Sequence, residues 1–316
     1  MKKPFVYPEF VVCGTTLVAW RGNDEEAYVP YGITRVGRNA FKDCGNLARV
    51  FLPSTIDEID SYAFYNCGAL TQINFPESIR RIGKYAFYGC RSLKEIDLPE
   101  GIRSVGACAF SACVSVVRVV LPGTLRDLGD FVFSKCSALV SLEVRYGIER
   151  LPVSAFFKCA SLEIVELPDS IVTIDKSCFY ETSALKSLTF PKKLRLIGSG
   201  CFANSGLEEA TIPNSVTEIG ESAFGRCVDL RFVSLPEGLT VIEANAFVYC
   251  ENLVCVLIPS SLKAIGRGAF LNCRLLKRVD FNDGLLDIGD GAFWDCGLET
   301  IVFPPSVRSI GDYAFV

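Results

Sequence analysis

The chain has 316 residues, half of them hydrophobic, with fifteen cysteines and no histidine. Its net charge of −4, with no run of five like charges, argues against a nucleic-acid or anionic-membrane surface, since both favour clustered Lys and Arg. Without histidine, the Ser-His and Cys-His nucleophile pairs are unavailable.

The opening MKKPFVYPEF has the two lysines of a secretory leader but no apolar segment behind them. The chain is therefore expected either to stay in the cytoplasm or to be a mature or trimmed form. From Phe10 to Trp20, FVVCGTTLVAW reads as a hairpin with Gly14 and Thr15 near its turn. Glu25 to Ile33, EEAYVPYGI, fits the strand, proline and turn of a worn first repeat. Residues 1–28 are thus expected to cap an array over residues 29–316. The longest apolar stretch, Val114 to Leu121, is broken by Ser115 and Arg118. It falls far short of the roughly 18–20 apolar residues that span a bilayer.

The array shows itself in thirteen phenylalanines, from Phe41, Phe64 and Phe87 on to Phe315. They follow one another at 23 residues, with two steps of 22, Phe202 to Phe224 and Phe293 to Phe315. A fixed period in the range of 20–50 residues signifies stacked repeats. The unit reads I-x-x-I-G-x-x-A-F-x-x-C-x-x-L-x-x-I-x-L-P-x-x. In the repeat of Phe87, Ile96 and Leu98 alternate with Glu95 and Asp97, the period of a strand with its apolar side inward. Pro99 has no N–H and ends the ladder, and ten of twelve repeats keep that proline, Arg145 and Asn282 being the exceptions. The segment G-x-x-A-F-x-x-C is expected to form the return path, as a turn followed by a short helical or 3₁₀ segment.

These columns resemble the leucine-rich repeats, specifically the BspA-like type, from about Ala27 to Val316. The resemblance implies an α/β solenoid, a curved, right-handed stack of about twelve short parallel strands with turn or short-helix return segments. The Asn or Cys of the general leucine-rich pattern is replaced after the strand by residues such as Thr55, Ser78, Gly101 and Thr124. Any side-chain bonding of those turns must therefore come from hydroxyls. The chain stops at Phe315-Val316 before another strand, from which either a truncated longer protein or a last layer covered by a partner copy is expected.

Ten cysteines fall three residues after the phenylalanine, as Cys90 does, and Thr182 and Ser205 fill the same slot in two other repeats. A position open to Cys, Thr and Ser asks for a small side chain. Cys178 and Cys201 precede their phenylalanines, where the other repeats have Ala or Val, and read as small core residues too. No C-x-x-C pair occurs, and zinc sites use such close pairs, often with histidine. Buried free thiols are expected. Disulfides between adjacent repeats stay open as an alternative, because stacked positions fall within bridging distance, although their side chains point the same way. Cys255 lies outside both slots and is expected to be the readiest thiol to alkylate.

No phosphate-binding glycine motif is present, and carboxylates such as Glu95 and Asp97 fit a solvated strand face. The sequence therefore points to no enzyme, no cofactor and no metal. The outward strand positions vary freely and suit a display surface, the one solenoids commonly use for binding. On it, Phe232, Cys255 and Leu257 fall on adjacent repeats and are expected to make an apolar patch flanked by Arg278, with Ile164 a further outward apolar residue. These five are the candidate partner-contact residues. The expected function is a non-catalytic scaffold that recognises a protein or glycan. The family resemblance adds adhesion or host-surface interaction, at a bacterial cell surface or after secretion. The alternative is a cytoplasmic assembly module that forms a homodimer through its C-terminal edge.

Overall fold

The computed structural model describes residues 8–316; the leader-like MKKPFVY with Lys2 and Lys3 lies outside the described residues. The described chain contains 25 short strands and no helix. It divides into two compact units, one ending at Ile148 and one beginning at Glu149.

The first unit opens with strands β1 (Phe10–Cys13) and β2 (Thr16–Trp20), paired antiparallel with Cys13 opposite Thr16. This is the hairpin read from the sequence. Leu17 of β2 then pairs in parallel beside Val36, and the Trp20 ring lies 5.7 Å from Phe41, so the hairpin covers the first core layer. Strand β3 (Glu26–Tyr28) pairs in parallel with Arg49–Phe51, which places the worn repeat in register with the next.

Each repeat forms one rung, and most rungs contain two strands where the sequence pattern showed one, although residues 187–189, 278–280 and 300–302 form no first strand. In the rung of Phe87, Glu95–Asp97 is the expected strand, and Ser104–Val105 is a second. The second pairs in parallel with Arg81–Ile82 before it and Asp127–Leu128 after it. Two paired residues are too few to display an alternating pattern. The second unit repeats the plan, for example in Val241–Ile242, Ala264–Ile265 and Asp287–Ile288.

The return segments correct a second expectation: they are continuous turns without helix. The reason lies in the direction of alternate amides. Tyr62, Phe64 and Asn66 donate to the carbonyls of Lys84, Ala86 and Tyr88 on the next rung, at 3.0, 2.7 and 2.7 Å. Between them, Ala63, Tyr65 and Cys67 donate three residues back within their own rung. A helix needs every amide for its own axis. The alternation is achieved by left-handed residues two before and two after each phenylalanine, here Tyr62 (φ 62°) and Asn66 (φ 58°).

The core is a file of phenylalanine rings. Phe41, Phe64, Phe87, Phe110 and Phe133 stack at 4.7–5.5 Å in the first unit. Phe156 through Phe315 do so in the second. These distances follow the ~4.8 Å spacing of paired strands. Phe75, Phe190 and Phe281, standing in the column that Leu98 occupies in its rung, meet the file edge-on. The glycine of the recurrent I-G lets rungs approach closely: a Cβ on Gly129 would sit 2.2 Å from the Ala107 amide nitrogen.

Hydroxyls bond the turns, as the missing Asn column required. Thr55, Ser78 and Thr124 donate to the carbonyls of Ile33, Ile56 and Ile102 on the preceding rung, at 2.6, 2.5 and 2.9 Å. Where Gly101 and Gly147 provide no hydroxyl, Arg80 and Arg126 bond the corresponding carbonyls of Ile79 and Leu125, at 3.0 and 2.8 Å.

Candidate functional site

The cysteine column is settled by its hydrogen bonds. Cys67, Cys90, Cys113 and Cys136 donate from Sγ to the carbonyl oxygens of Phe41, Phe64, Phe87 and Phe110, at 2.9–3.3 Å. Cys227, Cys250 and Cys273 do the same in the second unit. Thr182 bonds the Phe179 carbonyl at 2.8 Å, and Ser205 lies 3.3 Å from Cys227 Sγ. The slot thus asks for a small donor, a requirement beyond size. No disulfide links any of the fifteen cysteines, and burial pushes the Cys90 and Cys136 thiols up to about 12. A protonated, buried thiol is neither nucleophile nor metal ligand. No group of three or more metal-ligating side chains that could hold an ion occurs among the described residues.

Glu95 and Asp97 stand exposed on their strand. The strand face of the first unit is occupied by its own charges. Arg49 bonds Glu26 through two nitrogens, the Nε contact at 2.7 Å. The Tyr28 hydroxyl and then the Arg49 guanidinium hold the Glu26 carboxyl below its usual range. Arg118 and Arg145 both reach Glu143, at 3.0 and 3.1 Å, and Arg145 also reaches Glu100 at 2.9 Å.

The second unit presents a different strand face. Phe232–Ser234 pairs in register with Cys255–Leu257, which sets Phe232 beside Cys255 and Ser234 beside Leu257. Leu257 is 52% exposed, while Phe232 and Cys255 are half-buried. Arg278 is taken up by Asp280 on its own rung, at 2.7 Å, so an ion pair borders the apolar residues. Ile164 is also exposed, but it stands three rungs before Phe232, about 14 Å away at the usual strand spacing, with Ser187 and Glu209 between. The structure therefore brings Phe232, Cys255 and Leu257 together and sets Ile164 apart.

Val254, 53% exposed, is an apolar residue next to the patch that the strand pattern passed over. Its signal was legible, because the neighbouring rungs have Arg231 and Lys277 at the same position. The expectation for Cys255 is also corrected. Cys13, on the hairpin, is the exposed thiol, and Cys255 is only as accessible as Cys44, Cys108 and Cys296.

No helix is long and apolar enough to cross a membrane among the described residues. The sequence profile described as a BspA type leucine-rich repeat region matches residues 21–129, 104–231 and 196–316. The crystal structure of a leucine-rich repeat protein from Bacteroides ovatus is 30% identical, with a TM-score of 0.79 over 95% of this chain and 86% of that one. A leucine-rich cell surface protein from Faecalibacterium prausnitzii is 21% identical, with a TM-score of 0.56 over 96% and 92%. A leucine-rich repeat protein from Eubacterium ventriosum is 20% identical, with a TM-score of 0.52 over 93% and 91%. No curated protein matches the sequence.

Proposed function

The chain belongs to the BspA-type leucine-rich repeat family, and on that premise we propose that it is a non-catalytic scaffold that captures a protein partner on the strand face of its second unit. The observation that carries this reading is the in-register pairing that gathers Phe232, Cys255 and Leu257 into one apolar patch. Several charges on the neighbouring rungs are paired among themselves, as in Lys186–Glu208, Lys277–Glu299 and Arg278–Asp280. The apolar residues stand to gain by leaving water. A stable interface buries about 800 Å² on each partner, more than three side chains offer, so the contact extends over the paired charges as a polar rim.

A protein suits this surface better than a glycan, because the patch is apolar and built on a regular strand face. The setting we infer is a cell surface or the extracellular space, where the contact serves adhesion; the support is the name of the Faecalibacterium neighbour. Surface plasmon resonance against a panel of purified secreted proteins and receptor ectodomains tests the reading. Phe232→Glu should abolish binding to any protein captured while leaving the melting temperature within about 2 °C, and Ile164→Glu should leave binding intact. Retained binding in Phe232→Glu would refute the site. A dimer in light scattering that Phe232→Glu dissolves would mean that the patch serves a second copy instead.

A further inference from the structure

Two columns of the return segments carry aromatic side chains on some rungs and small residues on others. In the first unit the residues two before and one after the phenylalanine include Tyr62, Tyr65, Tyr85 and Tyr88. These rings stack from rung to rung at 5.1 and 5.2 Å and fill the turn surface. In the second unit the first of these columns holds Gly268 and Gly291, both left-handed at φ 59° and 57°. Where the tyrosines would stand, a groove of about 610 Å³ opens. That is within the range of small-molecule sites, roughly 300–1,000 Å³.

Trp294 and Tyr313 wall the groove, 48% and 68% exposed, with ring centroids 6.0 Å apart. Its other polar side chains are Glu221, Asn245, Arg267, Asp290 and Asp312. Every one ends in a planar carboxylate, amide or guanidinium. Among the described residues, the charged groups of this set form no ion pair, in contrast to the paired charges of the strand faces. The Asp290 carboxylate accepts one bond, from the Asp312 backbone amide at 3.0 Å.

We propose that this groove binds a neutral oligosaccharide. Each sugar hydroxyl both donates and accepts, so neighbouring hydroxyls match the mixture of acceptors on the carboxylates and donors on Arg267 and Asn245. A planar two-pronged group spans two adjacent hydroxyls, and the C–H face of a sugar ring fits an exposed indole. An anionic ligand would set its charge against three carboxylates. A basic peptide would leave Arg267 desolvated and unpaired. A neutral polyhydroxyl ligand uses both signs at once.

The chain has two tryptophans, and Trp20 is buried at 7% exposure, so a change in fluorescence on ligand binding reports Trp294. The probes are gluco-, xylo-, manno- and galacto-hexasaccharides, a heparin-derived hexasaccharide and hexalysine. At least one neutral saccharide should shift the emission and protect it from acrylamide quenching. By calorimetry, Trp294→Ala should weaken that binding at least tenfold. So should Gly291→Tyr, which restores the side chain of Tyr62 and Tyr85 where a new Cβ meets nothing closer than 3.6 Å. Trp294→Ala should melt as the parent does, and Gly291→Tyr, which puts a side chain on a left-handed residue, should melt a few degrees lower yet stay folded at the assay temperature. A response confined to heparin or hexalysine, no response to any neutral probe, or full affinity in Trp294→Ala would overturn the proposal.

Discussion

The Cys90 thiol donates to the Phe64 carbonyl oxygen at 3.2 Å, an oxygen that also accepts the Cys67 amide at 3.3 Å. The cysteine column therefore works as a hydrogen-bonded seam between one rung and the next. Thr182 and Ser205 keep a hydroxyl in the slot but bond elsewhere, Thr182 to the Phe179 carbonyl of its own rung and Ser205 to Cys227 Sγ of the next.

If the donor matters, Cys90→Ala should cost about 1–2 kcal/mol, and Cys90→Ser, which keeps a donor, less than half of that. Urea unfolding midpoints distinguish them. Equal losses would show that the slot is filled by size alone.

The same burial makes the fold sensitive to alkali. An ordinary thiol titrates near 8.5, whereas burial holds Cys90 and Cys136 at about 12 and Cys227 at about 11. The folded state favours the protonated thiol. That contribution is fully present below about pH 8.5 and is lost as pH rises towards 11–12, because the unfolded chain releases its protons first. The melting temperature should stay level near neutrality and fall from pH 9 to 11. A Cys90→Ser, Cys136→Ser double variant should flatten that slope. In native protein at pH 8, iodoacetamide should label Cys13 first and leave Cys90 and Cys136 unmodified, as read by peptide mass spectrometry.

Phe156 is fully buried and stacks 5.4 Å from Phe179, whereas Phe315 is half-buried. Phe156→Ala should cost about 3–5 kcal/mol and Phe315→Ala less than half as much. Equal thermal shifts would contradict a core carried by the ring file.

What the sequence disclosed and what it concealed follow from which side chains a rung constrains. The columns of Phe87, Cys90, Leu93, Ile96 and Leu98 point inward on nearly every rung, so the period and the first strand were legible. The second strand, as in Ser104–Val105, leaves no periodic trace because it is two residues long. The return path was misread as helical because its left-handed positions have no signature residue: Asn39 and Gly89 stand there, but so do Tyr62, Cys108 and Phe131. Phe232, Cys255 and Leu257 could be placed together by counting repeats, and the same count separates Ile164 from them. The groove was invisible, since Gly268 and Gly291 matter for the side chains they lack and look like any glycine of a turn.

The alternation of amides in the return segments has a further consequence. A rung such as that of Phe64 sends its amides at Tyr62, Phe64 and Asn66 to its successor, so it completes its bonding only when the next rung is in place. In a one-dimensional lattice of such elements, the intrinsic term of each element is small and the coupling between neighbours is large. Few elements then exist half-formed. Within each unit, rungs are gained and lost together, and a surface displayed on one of them inherits the rigidity of the whole run.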